Sequence, residues 1–435
     1  MPFLVGLCSV CFFRLKRNQN GKGEYRKNKW MHSWTSWVPS FSSTIITLDT
    51  IELPSNIGFV CGSLFLSLTT IPLPVGAILC RKRPINLLYS LLLLPIPLWF
   101  KDMSGKENGM PGDPEWLELK IPQLLFTDRV QELHAIIEKE WDCLQRSACQ
   151  TAAGRALWKH VIHDQVADLL AGEKYLRNLH EKIKTDRLNN AREVSGVIIA
   201  VRTLWFDSKI QAALDSSSGG EAQVVLLGAG MDTRAYRLSC LKDSDVFEVD
   251  FPEVLRVKTT LLQAAIESTE HFRMKAKSLI RVAADVRETD WPEKLQLSGF
   301  LPEKKTVWVL EGILYYLSHS NAMQVLKIIA DKCAVTQTVL LADFMNKPST
   351  TLADSIFHFY SDWPDHMLPS LGFSHVRLSQ IGDPDADFGL MNDQLNLFNK
   401  LRRLPRSMQT NPDDGTPCRR LYLVEASGSP NQEIP

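Results

Sequence analysis

The amino-acid sequence predicts an α/β fold: a doubly wound, mostly parallel, seven-stranded sheet that follows a helical lead-in. Two patterns in the second half of the chain predict this fold. Short apolar runs rich in β-branched residues alternate with stretches of helix length, and these runs are apolar along their whole length. Strands that are apolar along their whole length are typical of a parallel sheet with helices on both faces, because each parallel crossover requires a helix.

The helical lead-in is predicted over residues 114–214. Its apolar residues recur at intervals of three and four, as in Leu157 and Val161, which is typical of amphipathic helices. A polar connector at 215–220 separates it from the predicted strands. These strands lie at 224–227, 246–249, 280–283, 307–310, 339–342, 374–378 and 421–424.

Composition places the chain among ordinary globular proteins, with 435 residues, 45% hydrophobic and 23% charged. Residues 1–100 contain ten Lys and Arg against three acids, which leaves 39 basic and 46 acidic residues in the remainder. An acidic body gains little from contact with a phosphate backbone, so we expect no nucleic-acid partner. Among nine cysteines, Cys8 and Cys11 form the only C-x-x-C pair, which disfavours a structural zinc site and favours reduced intracellular thiols.

The first hundred residues differ from the rest of the chain. Residues 57–80 carry no charge, are long enough to cross a bilayer, and precede the basic triplet at 81–83. A second uncharged run at 84–100 is marginal for a span, and prolines such as Pro72 and Pro95 weaken both helices. Membrane association through 57–100 and an organellar transit segment, including a plastid one, therefore both stay open beside a cytoplasmic location. We expect three regions, at 1–102, 103–215 and 216–435.

A glycine-rich turn follows the first predicted strand, in VVLLGAGMDTR at 224–234. Gly228 and Gly230 would let a ligand approach the backbone at a strand-to-helix turn. A nicotinamide dinucleotide site would require a third glycine where the chain has Thr233, whereas S-adenosylmethionine has no pyrophosphate and does not need it. Asp250 ends the next strand about twenty residues beyond Gly230, where a carboxylate can accept hydrogen bonds from both ribose hydroxyls.

Two further acids follow later strands. Asp285 comes after the third strand and could accept a hydrogen bond from an adenine amino group, or could cap a helix. Glu311 ends the fourth strand, near the expected ammonium group of the cofactor, or could form an internal ion pair. Ligands of open α/β sheets bind at this edge, so both are candidate site residues.

These motifs, in their order and spacing, resemble the leucine carboxyl methyltransferase superfamily, and most closely its branch of S-adenosylmethionine-dependent methyltransferases of bacteria and plants. The resemblance extends over about 151–427 and rests on LGAGMDTR at 227–234, EVDFP at 248–252, ADVR at 284–287 and LEGILYY at 310–316. Two departures are Asp164-Gln165, where the family commonly has Asp-Pro, and the apolar first hundred residues.

The resemblance implies a Rossmann-like class I methyltransferase sheet with S-adenosyl-L-methionine as cofactor. It also implies basic residues in the preceding helices, which nominates Arg155 and, for the cofactor carboxylate, Arg202; the residues alone would make both of them charges on a helix surface. The cofactor-binding residues implied are Arg155, Arg202, Gly228, Gly230, Asp250, Asp285, Val286 and Glu311.

The leading hypothesis for the reaction is O-methylation of a small molecule. The alternatives are carboxyl methylation of a protein C-terminus, a nicotinamide-dependent reductase, and a membrane-tethered cofactor-binding protein without turnover. A carboxylate acceptor needs no base, whereas a hydroxyl needs one, for which Tyr315, Tyr316 and Asp343 are candidates. His358, Asp362 and His366 are too irregularly spaced to predict a metal site. The oligomeric state stays open.

Overall fold

The computed structural model describes residues 118–189, 194–215, 222–269, 271–353, 355–390, 405–412 and 415–430. Seven β-strands lie in this part of the chain. They are β1 Gln223–Leu227, β2 Asp245–Asp250, β3 Ser278–Ala283, β4 Thr306–Leu310, β5 Thr338–Met345, β6 His375–Gln380 and β7 Leu421–Gly428. Each predicted strand is present, with bounds that differ by at most four residues.

The strands form one sheet in the order β3-β2-β1-β4-β5-β7-β6. Strands β1 to β5 pair in parallel, and β7 is antiparallel to both β5 and β6. From β1 the chain adds β2 and then β3 on one side of β1. It then crosses over to form β4 on the other side of β1. This switch point is where doubly wound sheets bind their ligands. The predicted fold class is confirmed.

The sheet is buried on both faces. Successive residues of β1 alternate between two apolar cores, since Val224 and Leu226 face one and Val225 and Leu227 face the other. Strands β4 and β5 divide in the same way, and all of their residues are buried. Burial on both faces explains why these strands appear in the sequence as continuous apolar runs.

The helices of the described residues surround this sheet, and six of them precede it. They are α1 Asp128–Glu140, α2 Cys143–Leu157, α3 Lys159–Ile162, α4 Ala167–Ala171, α5 Glu173–Leu188, α6 Val197–Asp215, α7 Arg234–Arg237, α8 Pro252–Ser268, α9 Trp291–Leu297, α10 His319–Ala330, α11 Lys347–Thr350 and α12 Pro364–Leu371. A capping box starts α2: the Asp142 side chain accepts from the Gln145 N–H, and the Gln145 side chain accepts from the Asp142 N–H.

Helix α6 contains a long apolar stretch. It passes between other elements, with Val201, Trp205 and Phe206 fully buried. Arg202 and Asp207 lie within this apolar stretch, so both charges need partners inside the protein. The lead-in thus delivers charged groups to the interior as well as covering one face of the sheet.

Membrane association was predicted for residues 57–100, which lie outside the described residues, as does the whole region 1–102. Within the part of the chain that the structure describes, no helix combines the length and apolar character needed to cross a bilayer.

Candidate functional site

The turn after β1 depends on its two glycines. Gly228 and Gly230 have φ angles of 67° and 43°, in a region that the backbone of other L-residues rarely adopts. The N–H groups of Gly228 and Ala229 donate to the Val249 carbonyl of β2, at 2.9 and 3.2 Å. A Cβ atom at Gly228 would lie 2.4 Å from Cδ1 of Ile313. The turn therefore packs directly against the segment that follows β4.

Asp250 faces this turn from the end of β2. Its Oδ2 accepts the Gly230 N–H at 2.6 Å, and its Oδ1 accepts the Phe251 N–H at 2.7 Å. Burial raises the pKa of the Asp250 carboxyl to about 6, although these two bonds and the charge of Lys258 oppose the rise. The structure thus joins two of the sequence-predicted residues by one hydrogen bond across the switch point.

Asp285 and Val286 follow β3 at the same edge. The Asp285 carboxylate accepts three hydrogen bonds from the Arg287 guanidinium, at 2.9, 2.9 and 2.6 Å, and one from the backbone N–H of Arg287 at 2.9 Å. Burial alone would raise its pKa, but the bonds to Arg287 hold it below the ordinary value. The N-cap position of α9 is occupied by Asp290, so Asp285 does not cap this helix. Val286 is buried beside it.

Glu311 lies at the end of β4 in an internal ion pair, the alternative that the sequence left open. Its Oε1 accepts a hydrogen bond from Nε of Arg202 at 3.0 Å, and its Oε2 accepts one from Nη2 of Arg234 at 2.6 Å. Burial would raise the pKa of Glu311, but the charges of Arg234 and Arg202 hold it below the ordinary value. The carboxylate is therefore ionised and fixed from both sides.

Arg202 extends from α6 to the ends of β4 and β5. Besides Glu311, its Nη1 donates to the hydroxyl of Tyr315 at 3.1 Å and to Oδ2 of Asp343 at 3.3 Å. Asp343 is fully buried, and its Oδ1 accepts the Gly312 N–H at 2.7 Å. Arg202 is itself buried, so it is not a charge on a helix surface.

Arg155 of α2 is buried as well and reaches the glycine turn. Its Nε donates to Oδ2 of Asp164 at 2.9 Å, and its Nη2 donates to the carbonyl of Met231, next to Gly230. Thr233 also donates to Asp164, at 2.6 Å. The chain departs from the family's Asp-Pro pattern only at Gln165. Asp164 is kept, and it anchors Arg155.

The sequence did not identify Arg234 as the centre of this edge. Its guanidinium is almost fully buried and contacts three carboxylates: Asp207 at 2.7 Å, Glu311 at 2.6 Å, and Asp232. Arg237 pairs with Asp207 from the other side. The signal available in the sequence was an Asp-x-Arg pair directly after the glycine turn together with two charges inside the apolar helix α6, but only the fold shows that they meet.

All eight predicted site residues therefore lie at or near the carboxyl edge of the parallel strands. Gly230 with Asp250 and Arg202 with Glu311 are in direct contact, and Arg155 bonds to the turn. The hydrogen bonds that the structure describes for the Asp285 side chain all come from Arg287. The part of each residue in binding a cofactor stays a prediction.

With this geometry in place, a comparison with known proteins shows what this part of the chain resembles. Residues 148–330, under half of the chain, match the family described as leucine carboxyl methyltransferase. This part of the chain is similar to that family. The matched segment contains every one of the eight candidate residues and the first four strands of the sheet.

Curated relatives match only part of this chain. A protein of Mycobacteroides abscessus is 34% identical over 41% of this chain and 61% of its own length. One of Parafrankia sp. is 37% identical over 36% and 47%, and one of Mycolicibacterium smegmatis is 43% identical over 27% and 37%. Their names provisionally describe S-adenosyl-L-methionine-dependent methyltransferases. The chain spans less than two thirds of the length of these relatives.

Proposed function

We propose that this protein is an S-adenosyl-L-methionine-dependent methyltransferase that methylates an oxygen atom of a small molecule. The observation that carries the proposal is the contact between Asp250 and Gly230 at the switch point of a doubly wound sheet. It sets a carboxylate against a glycine turn where such sheets bind ligands. The names of the curated relatives supply the cofactor.

The donors and acceptors at this edge fit the cofactor. Each oxygen of a carboxylate can accept two hydrogen bonds. In Asp250 one place on each oxygen is taken by a backbone N–H, which leaves one on each for the two ribose hydroxyls. Asp250 is partly exposed, so a ligand can reach it. Arg287 already donates twice to each oxygen of Asp285, so Asp285 would have to exchange one of these bonds for one from the adenine amino group. Val286 would provide apolar surface for the ring.

The amino-acid end of the cofactor needs a cation for its carboxylate and an anion for its ammonium group. Arg155 lies beside the turn and has one acidic partner, Asp164. Arg202 has two, Glu311 and Asp343, which would repel a third carboxylate. We therefore assign the carboxylate contact to Arg155, and to Arg202 the role of holding Glu311 toward the ammonium group.

The bound cofactor supplies a methyl group that is already activated as a sulfonium, so the protein must chiefly align the acceptor and exclude water. The candidate bases are poorly placed to take a proton. Burial raises the pKa of Tyr315 well above its ordinary value, and its hydroxyl is bound by Arg202. Asp343 is fully buried and bound by Gly312 and Arg202. An acceptor oxygen that is anionic at neutral pH fits this arrangement best.

The poor placement of Tyr315 and Asp343 as bases also favours a second candidate, carboxyl methylation of a protein C-terminus, because a carboxylate needs no base. Two experiments test the proposal. Calorimetric titration with S-adenosylhomocysteine and with NADP(H) separates the cofactors, and binding of NADP(H) alone would contradict it. Transfer of radiolabelled methyl into cell extract, split into small-molecule and protein fractions, separates the acceptors. Label in a base-labile protein fraction would favour the second candidate, whereas cofactor binding without any transfer would contradict both.

A further inference from the structure

Lys258 of α8 is a fully buried lysine that the cofactor assignments above do not use. Its ammonium lies 2.8 Å from Oε1 of Glu248, itself fully buried in β2. The direction of this contact does not make a hydrogen bond, and the ammonium makes no other hydrogen bond within the described residues. Burying a charge is costly, so a lysine kept inside with unused donors calls for an explanation.

The position of Lys258 relates it to Asp250. Side chains two residues apart on a strand share a face, so Glu248 and Asp250 both face the side of β2 that α8 covers. On that side Val254 and Val257 of α8 lie in the same apolar core as Val246 of β2. The charge of Lys258 lowers the pKa of Asp250 and also that of Asp232 in the turn after β1. One buried cation thus acts on carboxylates of both segments that flank the switch point.

Other charged groups lie on the elements packed against β2. Arg281 of β3 pairs with the second oxygen of Glu248 at 2.9 Å and so neutralises part of its charge. The remaining ones are Asp232 after β1, Glu253 at the start of α8, and the pair Asp285 and Arg287 after β3. Among the charges that shift the pKa of Asp250, that of Lys258 lowers it and that of Glu248 raises it.

We propose that Lys258 is a positioning residue that keeps the Asp250 carboxylate ionised at neutral pH, so that it can accept the hydrogen bonds of the cofactor's ribose. This inference rests on the proposed function. An ionised carboxylate offers only acceptors, whereas a protonated one presents a donor to a hydroxyl that must itself donate. The buried ammonium offsets the cost that burial imposes on the charged form of Asp250. Glu248 holds Lys258 in place and partly opposes it.

The first test measures S-adenosylhomocysteine affinity between pH 5 and 9 for the full chain and three variants. In the wild type, affinity should weaken as the pH falls below about 6, the pKa of Asp250. In Lys258→Met this weakening should begin about one pH unit higher, with affinity restored to within about twofold at pH 9. In Glu248→Gln it should begin lower, and in Glu248→Gln/Lys258→Met it should return close to the wild-type pH.

A loss of affinity in Lys258→Met that is the same at every pH would show a merely structural role and overturn the proposal. So would an onset that moves in neither single variant. If Lys258→Met does not fold, the comparison of Glu248→Gln with Glu248→Gln/Lys258→Met decides the matter, because the two differ only in the charge of Lys258. An onset that is equally low in both would overturn the proposal. Absence of wild-type binding at every pH would instead refute the proposed function.

A second test needs no ligand. Asp250 has a folded-state pKa raised above its unfolded value, so its contribution to stability is full below the unfolded pKa and is lost as the pH rises through about 6. The unfolding free energy of the wild type should therefore fall relative to Asp250→Asn over this window. In the Lys258→Met background the same difference should continue to change to a higher pH. An identical pH profile in both backgrounds would refute the role of Lys258 independently of the cofactor.

Discussion

Asp250 provides the most direct test at the scale of one residue. We expect Asp250→Ala to weaken S-adenosylhomocysteine binding by about 1.5–3 kcal/mol, the range for hydrogen bonds to a charged group. Calorimetric titration at pH 8 measures the effect where the wild-type carboxyl is ionised. Asp243→Ala is a matched control near the other end of β2, because that side chain is 79% exposed. Unchanged affinity in a folded Asp250→Ala protein would refute the ribose assignment.

Arg202 tests whether geometry or only charge matters in the buried ion network. Its guanidinium contacts Glu311, Tyr315 and Asp343 from different nitrogens, which a single ammonium cannot do. We expect Arg202→Lys to bind S-adenosylhomocysteine more weakly than the wild type although the charge is kept. Arg202→Met should in addition lose about 3–5 kcal/mol of unfolding free energy, because it leaves buried carboxylates unpaired. Wild-type affinity in Arg202→Lys would show that only charge matters.

At the scale of elements, the turn after β1 combines two separable constraints. Gly228 has a positive φ, and a Cβ there would also collide with Ile313, whereas Gly299 has a φ of 98° and open space around it. Gly299→Ala should cost about 1–2 kcal/mol for backbone strain alone. Gly228→Ala should cost more, and Ile313→Val should recover part of the excess by removing Cδ1. Urea unfolding of these variants checks the order, and equal costs at both glycines would contradict the packing argument.

The strands were predictable because burial on both faces requires apolar residues along each strand, so that the strands appear in the sequence as uninterrupted apolar runs between helices. Strands β5 and β7 extend beyond the predicted bounds, since they pair antiparallel from Thr338 with Gly428 to Met345 with Leu421. That pairing joins residues far apart in sequence, and no local pattern encodes it. The place of β7 between β5 and β6 was unpredictable for the same reason.

Some residues of the candidate site could be predicted from the sequence and others could not. Glycines and acids at strand ends could be found in the sequence, because strand ends converge at one edge of a parallel sheet. Arg234 and Lys258 could not, because a charged residue in a helix ordinarily faces solvent, and only tertiary packing places these two against buried carboxylates. The sequence therefore indicates the ligand-facing groups better than the groups that hold them.

At the scale of the whole molecule, the lead-in helices and the sheet build the site together. Ala148 of α2 lies against Gly230, Arg155 of α2 bonds to Met231, and Arg202 of α6 bonds to Glu311. The three regions predicted from composition, at 1–102, 103–215 and 216–435, stay a prediction. The contacts named above join the described lead-in helices, which end at residue 215, to the sheet.

The folded region begins after residue 102 in our prediction, and we expect residues before Met103 to be dispensable. The apolar core already includes Val130 and Ile137 of α1, both fully buried in the same cluster as Val224 of β1. A protein that starts at Met103 keeps α1 and should bind S-adenosylhomocysteine within about twofold of the full chain. A protein that starts at Cys143 removes α1, exposes apolar core and should unfold or aggregate. Solubility, urea unfolding and calorimetric titration of the three forms measure the difference. Failure of the Met103 form to fold, with the full chain folded, would show that the first hundred residues pack on the rest of the protein.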